Sequence, residues 1–557
     1  MNQNVLSLLA ILSPAVFVLT AIVSWFQTGL RPNLIKKMAT ISTILSIMIA
    51  AISGFFVINF GLLETSLLGT EQLGLSIRLD ALSILMLTMI ALLGFIVVRF
   101  SLNYLDGDTR QGVFIGRLAA TIASVQLLVL SGTLTLLFIS WVLTSMSLHR
   151  LLIFYRERPG AIIAARKKFI VARIGDACLL AAFVILYSQF ETGNLEIIFQ
   201  EIKSNLVSGI SMYGMEAAAI LLVFAALLKS AQFPTHGWLI EVMETPTPVS
   251  ALLHAGLLNA GPFLIVRMAF VMESSTYAPL ILISIGGFTA LFASIVFLTQ
   301  TSIKTALGYS SVAHMGFSLL TCGLGLYPAA MLHLVAHSFY KAHSFLSSGS
   351  VIEVIRASKV TAASKRIGSP FRIGLGIFLA LGLYVTFAFL WGIDPKNELS
   401  LLAIGAIIVL GLSRLFTSAI DSNGSLKLIL RASILAVIVT ISFFTLESGS
   451  HYLLSSQLPE LVSPSLIEII LIATVLIIFG AAVFIQILAP TLSNNSFYQA
   501  MAIHFRNGLY VNTVFDRTVR ALYEHHPQNK SILITEVKNS KSIEVERFEG
   551  QHVLQNN

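Results

Sequence analysis

Long, unbroken apolar runs recur along the chain, separated by short polar stretches that hold most of its charge. The runs lie near residues 5–26, 38–62, 80–100, 113–130, 133–153, 169–188, 214–232, 247–270, 277–299, 304–325, 327–352, 372–392, 399–417, 428–446 and 465–489. About 20 apolar residues in helical form cross the hydrocarbon of a bilayer. Transmembrane barrels would instead alternate apolar and polar positions over short segments. Continuous runs predict helices, which satisfy their backbone groups internally. The expected fold is an all-α polytopic membrane protein with about 15 transmembrane helices. The first run has no basic stretch ahead of it and is too long for a signal-peptide core, so it reads as a retained span.

The pattern changes near the C-terminus. Phe497–Tyr523 mixes apolar residues with Arg506, Asp516, Arg517 and Arg520, which reads as an amphipathic helix on the membrane surface or against a partner. Residues 524–557 are polar and basic, with Lys530, Lys538 and Lys541, and read as a cytoplasmic tail. The expected organisation is N-terminal transmembrane helices over 1–75, an ion-conducting core over 76–352, C-terminal transmembrane helices over 353–490, and an amphipathic helix with tail over 491–557.

Composition agrees with the pattern. Of 557 residues, 56% are hydrophobic and 11% charged, against roughly 25% charged in soluble domains. A soluble enzyme, a nucleic-acid binder and a secreted disulfide scaffold are excluded. Only Cys178 and Cys322 are present, both inside apolar runs, so no cysteine-based zinc or iron–sulfur motif exists. The formal charge of +8 belongs mainly to alternate loops. One set holds Arg31, Lys36, Lys37, Arg110, Arg117, Arg150, Arg156, Arg158, Arg166, Lys167, Lys168, Lys359, Lys365, Arg366 and Arg372. The opposite set holds little beyond Arg78, Lys203 and Lys396. The positive-inside rule places the basic loops in the cytoplasm, the N-terminus outside and the C-terminus inside.

Ionisable residues inside spans carry the functional signal, because each costs at least about 2.5–3.5 kcal/mol at the bilayer centre. His333, His337 and Lys341 recur at i, i+4 and i+8 and form one column on a helix face. Histidines bonded to neighbouring carbonyls are one explanation. A zinc site is another, but a lysine one turn on would repel the metal and no acid or cysteine completes the set. A row of titratable groups near neutrality suits stepwise proton transfer better. The stretch Lys229-Ser-Ala-Gln-Phe-Pro-Thr-His-Gly-Trp238 puts a lysine at the end of an apolar helix, and Glu244, Pro246, Pro248 and His254 follow. Prolines there predict a discontinuous helix of the kind that lines transporter cavities. Glu244 is the candidate counter-ion for Lys229; a lysine snorkelling to the interface is the alternative. Arg173 and Asp176 are spaced to pair on one face. Lys304 opens the tenth span as an anchor or a relay, and His314 lies about 15 Å further along that helix. His314 either links Lys304 to the histidine column or is an ordinary buried histidine.

In order along the chain, Ser76-Ile-Arg-Leu-Asp80, Tyr104-Leu-Asp-Gly-Asp108, Val171-Ala-Arg-Ile-Gly-Asp176, Lys229-Ser-Ala-Gln-Phe-Pro234 and Met243-Glu-Thr-Pro-Thr-Pro-Val-Ser-Ala-Leu-Leu-His254 resemble the proton-conducting membrane transporter family. Ile303-Lys304, Leu307-Gly-Tyr-Ser310 and His333-Leu-Val-Ala-His-Ser-Phe-Tyr-Lys341 extend the series. That family includes the antiporter-like subunits of respiratory complex I and the large subunits of Mrp-type sodium/proton antiporters. The resemblance implies two inverted repeats, discontinuous helices and a polar axis at mid-membrane built from the matching lysines and histidines. Two positions depart from it. The family usually has a glutamate after the tryptophan of the fifth span, where Val142 follows Trp141 here. It also usually has a Pro-Pro break and a lysine near the twelfth span, where this chain reads Val385-Thr-Phe-Ala-Phe-Leu-Trp-Gly-Ile393. The stretch after residue 490 is expected to be too short for the long lateral helix of the complex I subunit.

These departures, with Ser147-Leu-His-Arg-Leu151 and a basic Arg166-Lys-Lys168 loop, are similar to the membrane-subunit branch of Dab-type inorganic carbon transporters. The resemblance implies a subunit of a bicarbonate or carbon dioxide uptake pump in the bacterial inner membrane, conducting protons or sodium. It further implies a large cytoplasmic partner of DabA type that contains zinc and resembles a β-type carbonic anhydrase. The alternatives are a proton-translocating subunit of NADH-quinone oxidoreductase, an Mrp-type antiporter subunit, or a non-conducting scaffold. No cofactor and no covalent chemistry are assigned to this chain.

Overall fold

The computed structural model describes residues 3–70, 74–210, 212–349, 370–395, 398–421, 426–488, 492 and 494–524. Helices dominate: α1 (Gln3–Leu8), α2 (Leu12–Val23), α3 (Asn33–Phe60), α4 (Ala81–Tyr104), α5 (Gln111–Val129), α6 (Leu134–Leu152), α7 (Pro159–Phe190) and α8 (Leu195–Val207). There follow α9 (Met215–Lys229), α10 (Gly237–Glu241), α11 (Thr247–Ala255), α12 (Ala260–Arg267), α13 (Ala269–Glu273), α14 (Tyr277–Thr299), α15 (Ile303–Gly323) and α16 (Tyr327–Leu346). The remainder are α17 (Pro370–Trp391), α18 (Leu399–Asp421), α19 (Leu426–Leu454), α20 (Leu466–Leu488), α21 (Ser496–Arg506) and α22 (Val511–Glu524). A small antiparallel pair, β1 (Leu63–Glu64) and β2 (Arg78–Leu79), sits before α4 in the register Leu63↔Leu79 and Glu64↔Arg78.

Among the described residues every apolar run is helical over most of its length, and the membrane fold is as the sequence predicts. Among the described residues, 11 helical segments are long and apolar enough to cross a bilayer. The helices below that threshold are informative. α9 stops after 15 residues at Lys229, while α15 and α16 are diluted by Lys304, His314, His333, His337 and Lys341. Polar residues that weaken a helix as a lipid-facing span have to be covered by other helices. The segment from Thr247 to Arg267 is buried at every residue and forms the centre of the bundle.

The expected discontinuity is present. Between α9 and α10 the chain is not helical, and Pro248 stands in the first turn of α11 rather than inside a helix. A second break falls at Gly256, before a 3-10 turn at Leu257–Asn259.

Polar side chains tie the helices together. Ser13 and Ser46 meet at 2.7 Å, and Gln126 donates to Ser46 at 2.8 Å, joining α2, α3 and α5. α14 and α15 meet backbone to backbone. A methyl group on Gly286 would stand 2.7 Å from Leu320 N, and one on Gly316 would stand 2.7 Å from Ala290 N. Small residues permit this approach in membrane helix pairs. The later helices share an apolar core in which Tyr384 stacks on Phe444 and donates to Leu402 O.

Two expectations are corrected. Arg166, Lys167 and Lys168 are not a loop: α7 starts at Pro159, whose fixed φ suits a first helical position. The three basic residues therefore lie two turns inside a helix, with Lys167 and Lys168 buried. The amphipathic segment is two helices, because Gly508, Leu509 and Tyr510 all take positive φ between α21 and α22. The chain divides into two units there, the first ending at Asn507 and the second starting at Gly508. The expected tail with Lys530, Lys538 and Lys541, and the loop residues Lys359, Lys365, Arg366 and Lys396, lie outside the described residues.

Candidate functional site

The broken helices and α16 project ionisable side chains into the bundle at two places. The first surrounds Lys229, the last residue of α9. Its ammonium donates to Trp141 O at 3.2 Å and lies 4.2 Å from the Trp141 ring centre. An ammonium over a desolvated indole face is held by the ring quadrupole as well as by the carbonyl. Arg173 and Asp176 pair at 2.6 Å one turn apart on α7, as their spacing predicts, within electrostatic range of Lys229. Lys168 comes from two turns earlier on α7 and is buried. It donates to Ser145 O at 2.5 Å and to Ser145 Oγ at 2.8 Å.

The second place is a histidine cluster where α15 meets α16. His314 Nδ1 and His333 Nε2 are 3.2 Å apart, and the Tyr340 hydroxyl bonds His314 Nε2. The His337 ring centre lies 4.8 Å from that of His314, and His337 is buried with no protein partner for either ring nitrogen. Lys341 is fully buried and donates to Leu307 O at 3.2 Å. His254 on α11 stacks on Phe345 at 4.3 Å and is within electrostatic range of Lys341. Thus His254, His314, His333, His337 and Lys341 are brought together. A cavity of about 320 Å³ opens beside them, lined by Ser294, Ser310, His314, His333 and apolar residues of the later helices.

This cluster has the connectivity of a proton wire. If the Tyr340 O–H donates to Nε2 of a neutral His314, the His314 proton sits on Nδ1 and faces His333 Nε2 as its acceptor. Each imidazole can take a proton on one nitrogen and release one from the other.

Other expected positions fall elsewhere. Glu244 is exposed and does not pair with Lys229. Its carboxylate accepts from Ala161 N at 3.2 Å in the first turn of α7, and its main-chain oxygen accepts from Arg158. A carboxylate at a helix N-terminus is favoured by the unpaired N–H groups there. Gly160 makes the approach possible, since a methyl group on it would stand 2.6 Å from the Glu244 carboxylate. Lys304 is partly exposed in the first turn of α15, about three turns before His314, the mid-helix residue that meets His333. Lys168, Tyr340 and Trp238 were not singled out by the sequence. Three consecutive basic residues read as a solvated loop, and Tyr340 lies beside the column rather than on it.

A separate ionic cluster holds the start of α4. Asp80, fully buried, caps α4 by accepting from Ser83 N at 2.8 Å and receives Arg78 at 2.7 Å and Arg267 as well. Arg78 also reaches Glu196 at 2.6 Å. Burial would raise the Glu196 carboxyl, but the Arg78 guanidinium outweighs it and holds the group below its ordinary value. At the opposite turn, burial and the Asp108 carboxylate push Tyr155 up to about 12.

Comparison with known proteins places this chain among membrane subunits of the antiporter and complex I type. Residues 131–369 match the family described as the NADH:quinone oxidoreductase/Mrp antiporter transmembrane region, and residues 67–115 match the complex I chain 5 N-terminus. The chain is 34% identical over 455 residues to the probable inorganic carbon transporter subunit DabB2 of Halothiobacillus neapolitanus, covering 81% of each chain. It is 41% identical over 267 residues to the probable subunit DabB of Hydrogenovibrio crunogenus, covering 48% of this chain and 51% of that one. Among solved structures, a chain of the Mrp complex from Dietzia sp. superposes with a TM-score of 0.53 at 21% identity, over 97% of this chain and 60% of that chain.

Proposed function

Because the chain belongs to the NADH:quinone oxidoreductase/Mrp antiporter family of membrane subunits, we propose that it conducts protons or sodium to drive inorganic carbon uptake by a cytoplasmic partner. The observation that carries this reading is the match to DabB2 along most of both chains, not only across the shared ion-conducting core. The partner in this reading is a large zinc-containing subunit of DabA type that resembles carbonic anhydrase. The membrane is the bacterial inner membrane, with the N-terminus outside and the basic loops inside.

In this reading the Lys229 site and the histidine cluster are successive stations of one path. Lys229 holds or releases a charge at the break after α9. His254, His337 and Lys341 connect that region to the Tyr340–His314–His333 wire. Glu244 and Arg158 stand at the start of α7, where a path through the Lys229 region could open to the basic loops. The partner hydrates carbon dioxide to bicarbonate, which releases a proton. Ion flow through this chain biases that step only if the partner's two states differ in their affinity for the moving ion or its protonated carrier.

A proton-translocating subunit of NADH-quinone oxidoreductase is the second reading, favoured by the match at residues 67–115 to complex I chain 5. Val142 and Ile393 weigh against it, since they stand where that resemblance calls for a glutamate and a lysine.

Expression together with the partner separates the readings. Cells lacking carbonic anhydrase should regain growth at ambient carbon dioxide, and an uncoupler should abolish the rescue. Rescue by the partner alone, or rescue that ignores every ionophore, would overturn the proposal.

A further inference from the structure

Lys168 and Lys229 line the same small cavity from α7 and α9. Among the described residues, neither has a carboxylate within ion-pair distance. Each ammonium donates to a main-chain carbonyl of α6, Ser145 O for Lys168 and Trp141 O for Lys229, which leaves further N–H groups on both. Asp176, the acid within electrostatic range of both, lies 2.6 Å from Arg173 and outside the cavity wall.

A third donor faces the same problem. Trp238 also lines the cavity, is buried, and its indole Nε1–H has no acceptor. Indole nitrogen can only donate. The Thr144 hydroxyl in the wall already donates to Ser140 O, and the rest of the lining is mostly apolar. Two lysines and a tryptophan with an unpaired indole N–H therefore line one cavity whose wall holds no acidic side chain. The cavity measures about 20 Å³, enough for one guest of about the size of a water molecule.

We infer that this cavity is a binding site for one small monovalent inorganic anion, held by Lys168, Lys229 and Trp238. Val142 follows Trp141 on α6, at the position where the family resemblance calls for a glutamate. A bound anion stabilises the charged form of both lysines inside the bundle. Charge-assisted hydrogen bonds from two ammonium groups and an indole suit chloride, whose single atom matches the size of the cavity; bicarbonate, with four heavy atoms, enters only if the cavity widens.

Equilibrium binding of radioactive chloride to the purified full chain, with any partner that accompanies it and with gluconate as the replacement anion, tests the site. One saturable chloride per chain is expected. Lys168→Gln should weaken binding at least ten-fold. Trp238→Phe, which keeps a ring and removes the N–H, should weaken it several-fold. Competition with bicarbonate then identifies the guest: displacement supports a site shared with inorganic carbon, and no displacement supports a halide site. Absence of saturable chloride binding and of any bicarbonate-dependent rise in Tm in the wild-type chain would overturn the inference. So would unchanged affinity in a correctly eluting Lys168→Gln chain or, if that variant fails to fold, in Trp238→Phe.

Discussion

His314 and His333 face each other across the contact between α15 and α16, nitrogen to nitrogen at 3.2 Å, and Tyr340 closes on the far side of His314. The three groups are consecutive links, with His314 hydrogen-bonded to the other two. Removing His314 should interrupt transfer, whereas removing Tyr340 should only change what feeds it.

His314→Phe keeps a ring of similar volume and deletes both nitrogens. Proton-coupled uptake should fall by about 10²-fold or more, the lower range for loss of an acid–base group. Tyr340→Phe should fall by less than His314→Phe. Uptake assays in membranes with matched protein levels check both, and a fully active His314→Phe chain would refute the wire.

His337→Ala should lose transport without losing the partner, because the side chain is buried beside His314 rather than on an outer surface. Co-purification and uptake are measured on the same preparation. Stoichiometric zinc on the isolated chain, lost in this variant, would instead favour a metal at the column.

Lys229→Ala should abolish transport while the protein still accumulates in the membrane. Lys229→Arg should not restore it. A planar, permanently charged fork cannot replace an ammonium that gains and loses a proton. Full activity in either variant would exclude Lys229 from the path.

How far these residues could be read from the sequence depended on whether their relations lie within one helix. The column His333, His337 and Lys341 and the pair Arg173 and Asp176 follow from helical period alone, and both hold. Glu244 was matched to Lys229 because the two are close in sequence. The turn between α10 and α11 carries Glu244 to the start of α7 instead. Lys168 was hidden for the opposite reason. A local run of charge predicts solvent, but α6 and α9 cover that face of α7, a fact set by packing between helices rather than by neighbouring residues. The fifteen runs were legible because bilayer thickness imposes one length on all of them.

Asp80→Asn should destabilise the fold by about 3–5 kcal/mol, since Arg267 would remain buried without its counter-charge and Arg78 would keep only Glu196. Tm in detergent measures the loss. A shift comparable to that of an exposed substitution would show that the cluster contributes little.

The Arg78–Glu196 contact predicts a pH dependence. The folded carboxyl is held below its ordinary value of 4.5, so its stabilisation is present above that pH. The stabilisation is lost as pH falls through the lower, folded value. Glu196→Gln should therefore lose less Tm than the unaltered chain when pH drops from about 5 to about 3. Equal losses in the two chains would remove Glu196 from the acid response.

The close seam at Gly286 and Gly316 assigns the moving part. Two main chains in direct contact have no side-chain layer to shear, and a slip along α14 would drive larger residues into its backbone. α15 is thereby clamped to α14, and His314 serves as a fixed terminal. If transport requires the His314–His333 contact to open, the motion falls to α16 or to rotation of the rings, since α15 is held against α14.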